Sequence, residues 1–117
     1  MYLCQRLGLA LAIVFTFACS SDIETPPNDV VWIDVRSSEE YVEGHLENAT
    51  LIPHNAIVEG VTALGLSKDT PIYLYCHAGG RAEQAKRALE NQNYTHVNNV
   101  GSLANARSLA KVDNSGS

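Results

Sequence analysis

Residues 71–89 read PIYLYCHAGGRAEQAKRAL. An apolar run from Ile72 to Tyr75 ends on Cys76; then come a histidine, an alanine, two glycines and an arginine. A short apolar run of this kind fits a strand buried on both faces of a parallel sheet. From Arg81 to Asn91 the period changes to helical, with Ala82, Ala85 and Leu89 on one face and Glu83, Lys86 and Glu90 elsewhere. Glu83 precedes Arg87 by four residues, the favourable order for a helical ion pair. In sheets built this way, ligands collect outside the carboxyl ends of the strands. Cys76 stands at such an end.

The flanking sequence repeats the alternation. DVVWIDV (29–35) predicts a central strand with one acid, Asp34. Ser37 followed by Glu40 makes a capping box for a short helix that closes near Gly44. ATLIP (49–53) reads as a second strand stopped by Pro53, and HNAIVEGVTALG (54–65) as a short helix. THVNNV (95–100) is a last strand and SLANARSLAKV (102–112) a last helix. The expectation is one α/β domain over 30–112, a small, mainly parallel sheet flanked by short helices, with a disordered tail over 113–117.

The N-terminus has another character. Arg6 precedes an unbroken apolar run from Leu7 to Ala18, twelve residues against the roughly 20 that span a bilayer. Residues 1–18 therefore read as a secretory signal peptide, followed by a polar, proline-bearing tether over 19–29. TFACSS (16–21) resembles a bacterial lipoprotein processing site in which Cys19 becomes the lipidated first residue; ordinary cleavage after Ala18 or Ser20 is the alternative. Both routes export the domain to the periplasm. The lipoprotein route adds membrane anchoring through Cys19.

Composition narrows the function. A 117-residue chain suffices for one domain. A net charge of −5 with scattered Lys and Arg argues against nucleic-acid binding. Three cysteines, none in a C-x-x-C pair, exclude a dithiol redox mechanism and a disulfide framework. After export Cys76 is the sole thiol if Cys19 carries lipid; a free Cys19 leaves disulfide pairing with Cys76 open. His54 and His96 have no neighbours that suggest a metal site.

The turn after Cys76 carries chemistry. Gly79 and Gly80 allow backbone conformations closed to other residues, so successive N–H groups can converge on one point as an anion-holding nest. The helix beginning near Arg81 adds its positive end, and Arg81 a permanent charge. All three favour sulfur as the thiolate, the nucleophilic form. The competing reading is a small hydrophobe at a strand end.

CHAGGRA (76–82) resembles the active-site loop of rhodanese-type sulfurtransferases, with Cys76, Gly79 and Arg81 in the matching positions. WIDVRSSEEYVEGHLENATLIP (32–53) resembles that family's opening signature through Asp34, Arg36, Glu40, Tyr41, Gly44, His45, Ala49 and Pro53. YTHVNNVGSL (94–103) resembles its last strand and turn, and the likeness extends over about residues 30–110. The resemblance implies a sulfurtransferase in which Cys76 takes sulfane sulfur from thiosulfate or a similar donor as a persulfide. The sulfur then passes to a thiol, or to cyanide in an assay, with no cofactor. His77, Ala78, Gly79, Gly80 and Arg81 would form the anion-binding loop, with Asp34, Arg36 and His45 as supporting structure, and the protein is expected to be a monomer.

Several residues depart from the family pattern. His77 replaces a frequent Arg, Ala82 a frequent Ser or Thr, and Ser102 a second Gly. Each lowers the expected activity without removing the nucleophile. A non-catalytic persulfide carrier or partner-binding module is the main competing function. Cysteine-dependent phosphatases and arsenate reductases are a further one, but their loop is a residue longer than the four that separate Cys76 from Arg81.

Overall fold

The computed structural model describes residues 29–115. The expected signal peptide, Cys19 and nearly all of the tether lie outside the described residues. Four strands form one sheet in the order β2-β1-β3-β4, all parallel: β1 (Val31–Asp34), β2 (Thr50–Leu51), β3 (Ile72–Cys76) and β4 (Val97–Ser102). Between and after them run α1 (Ser38–Glu43), α2 (Ile57–Leu64, entered through a 3-10 turn at His54–Ala56), α3 (Gly80–Asn91) and α4 (Leu103–Ser115). The last helix continues three residues beyond Val112, into the stretch expected as a tail. No helix among the described residues is long and apolar enough to cross a membrane.

The two-residue alternation of the strands builds two cores. Ile33 and Val35 with Ile72, Leu74 and Cys76 face one side, where they meet Ile57 and Val61 of α2 and Ala82, Ala85 and Leu89 of α3. Trp32 and Tyr75 face the other, with Leu46, Ala49, and Leu103, Ala106 and Ala110 of α4. Each fully buried Ile or Leu contributes roughly 1.5–3 kcal/mol, so the first layer is the main source of cohesion. The alanines of α3 let that helix lie close against β3, and β3 ends where α3 begins. This is what places Cys76 beneath the start of a helix.

The strand ends are not regular. β3 and β4 pair Leu74 with Asn99 but Tyr75 with Gly101, so Val100 is an extra residue on β4. Such a bulge bends its strand and re-aims the side chains beside it. Gly101 takes φ +93° there, a conformation closed to most L side chains.

Candidate active site

Cys76 ends β3 and is 1% exposed, packed with the α3-side core. Its sulfur is not left to hydrocarbon alone: the Gly79 N–H donates to Sγ at 2.9 Å. Gly79 can do so because it takes φ +103°, which turns its amide back toward the strand end while its carbonyl accepts the Glu83 N–H at 2.9 Å to begin α3. The ring of inward-facing amides expected from the sequence is therefore narrower. Among the described residues, Gly79 supplies the amide that reaches the sulfur, with the helix start behind it. His77, Ala78 and Gly80 are exposed while Cys76 is buried, so the sulfur does not sit in an open well of the loop. Ala82 is wholly buried in the same core as Cys76.

Arg81 is directed away from a lone role at the sulfur. Its Nη1 and Nη2 fork onto Glu40 Oε1 at 2.9 Å and Oε2 at 3.2 Å. Glu40 is also the acid of the capping box: its Oε1 accepts the Ser37 N–H at 3.1 Å and the Ser37 hydroxyl at 3.0 Å, and Ser37 Oγ in turn accepts the Glu40 N–H. These donors, Arg81 foremost, hold the Glu40 carboxyl down at about 2. Glu40 in return holds the Arg81 guanidinium above its ordinary value. One carboxylate thus ties the first turn of α1 to the first turn of α3, across the loop.

A cleft of about 170 Å³ opens beside this pair, lined by Arg36, Ser37, Pro53, His54, Asn55 and Arg81. It lies at the carboxyl ends of β1 and β2, where an α/β sheet collects its ligands. Both arginines in its wall already face a carboxylate, so the cleft carries less free positive charge than its residue list suggests.

Arg36 of the cleft belongs to a buried polar cluster. Asp34 is fully buried, and its carboxylate accepts the Arg36 Nε at 2.9 Å and Nη2 at 2.7 Å, as well as the Arg36 N–H at 2.9 Å. Arg36 Nη2 also donates to the Gly44 carbonyl at 2.7 Å, fastening the end of α1. The guanidinium carbon sits 5.5 Å from the centre of the Tyr75 ring. Burial pushes the Tyr75 phenol up to about 12, and its oxygen accepts the Leu46 N–H at 3.0 Å. His45 stacks on Tyr41 with ring centres 3.6 Å apart, its Nδ1 2.7 Å from the Tyr41 carbonyl. These groups shape the strand ends.

Three residues of the site escaped the sequence reading in part or whole. The sequence shows Glu40 as a cap and as part of the family signature, but its partner lies 41 residues away and no local spacing announces it. Tyr75 has no signal beyond its place before Cys76. Asn99 looked like a strand residue; its side chain instead meets Gly79. His54 shares the cleft, while no metal-binding group of side chains occurs among the described residues.

The family profile of the rhodanese-like domain matches residues 20–106. The thiosulfate sulfurtransferase PspE of Escherichia coli K12 is 36% identical over 95 residues, which cover 81% of this chain and 85% of that protein. The putative sulfur carrier protein YrkF of Bacillus subtilis is 35% identical over 68 residues, 58% of this chain but 36% of its own length. Among solved structures, a rhodanese with anions from E. coli superposes with a TM-score of 0.62 at 37% identity, over 65% of this chain and 89% of that one. Fold and sequence agree, and the chain belongs to the rhodanese-like domain family.

Proposed function

We propose that the protein is a thiosulfate-type sulfurtransferase working through a persulfide on Cys76. The observation that carries this is the Gly79 N–H on Sγ at 2.9 Å, at the end of β3 and beneath the start of α3. A donated N–H and a helix N-terminus both favour negative charge on that sulfur and on a sulfur attached to it. Cys76 thiolate attacks the outer sulfur of thiosulfate; the S–S bond of the donor breaks and its electron pair leaves with sulfite. The terminal persulfide sulfur then passes to a nucleophile. Cyanide attacks it to give thiocyanate, and the bond electrons return to Cys76 as thiolate.

The Arg36–His54–Arg81 cleft is the approach for the anionic end of the donor. With both guanidinium groups paired to carboxylates and His77 exposed above, donor binding should be weak. The cysteine is 1% exposed, so its sulfur has to become accessible to the donor before attack. Export by way of residues 1–18, with lipid on Cys19, would put this chemistry in the periplasm, where a small thiol serves as acceptor.

That burial also favours a second reading, a persulfide carrier that accepts sulfur slowly and yields it only to a docked partner. The thiosulfate:cyanide assay separates the two. Multiple thiocyanates per protein, abolished by Cys76→Ser with the fold intact, support the enzyme. A single equivalent at most supports the carrier, and transfer surviving in Cys76→Ser refutes both.

A further inference from the structure

Asn99 makes three hydrogen bonds at the β4 bulge, and together they point at the sulfur loop. Its Nδ2 donates to the Gly79 carbonyl at 3.0 Å and to Glu83 Oε1 at 3.1 Å, while its Oδ1 accepts the Gly101 N–H at 3.0 Å. This orientation of the amide is the one the surroundings permit: turned over, it would set an oxygen against two oxygens and an N–H₂ against an N–H. The Gly101 N–H is available to it because Val100 is the extra residue of the bulge. Contact is close as well, since a Cβ on Gly79 would lie 3.8 Å from both Asn99 amide atoms and 3.6 Å from the Gly101 Cα.

The residue Asn99 grips is the one whose N–H meets Sγ. Gly79 at φ +103° is free to rotate in a way other residues are not, and a glycine in a turn stays in one orientation only if something holds it. Its carbonyl is held from two sides, by the Glu83 N–H at 2.9 Å and by Asn99 Nδ2. Glu83 serves twice. Its carboxyl, held below the usual range first by the bond from Asn99, anchors the amide from the helix side.

We infer that Asn99 is a positioning residue: by clamping the Gly79 carbonyl it keeps the Gly79 N–H aimed at the Cys76 sulfur. The inference rests on the proposed role of Cys76, but its test does not need turnover. Alkylation of the full chain by iodoacetamide, followed on the Cys76 peptide by mass spectrometry, keeps Cys4 and Cys19 out of the reading. One neutral hydrogen bond corresponds to roughly a threefold to tenfold change in an equilibrium. Asn99→Ala should slow alkylation of Cys76 by about that factor near pH ~7, where a donated N–H favours the reactive thiolate. Near pH ~10, above the ordinary thiol value, the slowing should be much smaller.

Asn99→Asp keeps the shape and the acceptor for Gly101, but sets a carboxylate oxygen against the Gly79 carbonyl and Glu83. It should show the same pH-selective loss, and it preserves the test if the alanine variant fails to fold. Asn105→Ala is the control: Asn105 Nδ2 holds the Val100 carbonyl at 3.1 Å in the same bulge without touching the loop, and its removal should leave the alkylation ratio as it was. Equal slowing at both pH values, no slowing at either, or the same selective slowing in Asn105→Ala would overturn the inference. A wild-type chain that alkylates as described yet transfers no sulfur would instead refute the proposed function and leave the brace standing.

Discussion

Replacing Glu40 by glutamine tests the tie between α1 and the sulfur loop. In the folded chain this carboxyl is held at about 2, against 4.5 for an ordinary glutamate. That gap corresponds to roughly 3.4 kcal/mol before solvent is considered. Both side chains of the Arg81 pair are 32% exposed, so screening removes much of it. A contribution of about 1–2 kcal/mol remains for the forked pair plus the cap. Because the folded value is depressed, the stabilisation is complete above the unfolded value of 4.5 and drains away as pH falls through about 2. Glu40→Gln should therefore melt about 5–15 °C below wild type near neutrality. The difference should shrink steadily once the pH passes below the ordinary glutamate value. Calorimetry of both proteins across that range reads it directly. A melting difference that stays constant with pH, or no difference near neutrality, would mean that the Glu40 carboxylate does not tie α1 to the loop.

The remaining structural predictions concern the core. Asp34→Asn leaves the buried Arg36 charge with a neutral partner and should cost about 3–5 kcal/mol, read by urea unfolding. Gly60→Ala, which an isolated helix would welcome by about 1 kcal/mol, should destabilise by about 1–2 kcal/mol here. The new Cβ would lie 2.5 Å from Ile52 Cγ2, and a β-branched side chain cannot swing aside cheaply. A more stable Gly60→Ala protein would show that Ile52 repacks freely.

Much of this architecture was legible in residue order. The apolar runs at 31–34 and 72–76 are strands, the Ser37–Glu40 box caps α1 with both of its bonds, and α3 begins within a residue of its expected start. Patterns of this sort are local, so the sequence displays them. Cys76, Gly79 and Arg81 were placed together for the same reason, lying within six consecutive residues. What stayed hidden depends on contacts across the fold. The partner of Arg81 comes from α1, the clamp on Gly79 comes from the β4 bulge, and the near-complete burial of Cys76 goes with its place in the core between the sheet and α3. None has a periodicity that a single chain segment can carry. The narrower amide cradle has the same origin, since two adjacent glycines permit a nest but tertiary packing decides which N–H groups turn inward.

The most direct measurement is the mass of the Cys76 peptide before and after exposure to thiosulfate, and again after cyanide. That cysteine should gain one sulfur atom, with sulfite released in equal amount, and lose it completely as thiocyanate. An unmodified Cys76 in folded protein that has been given thiosulfate would contradict sulfur transfer through Cys76.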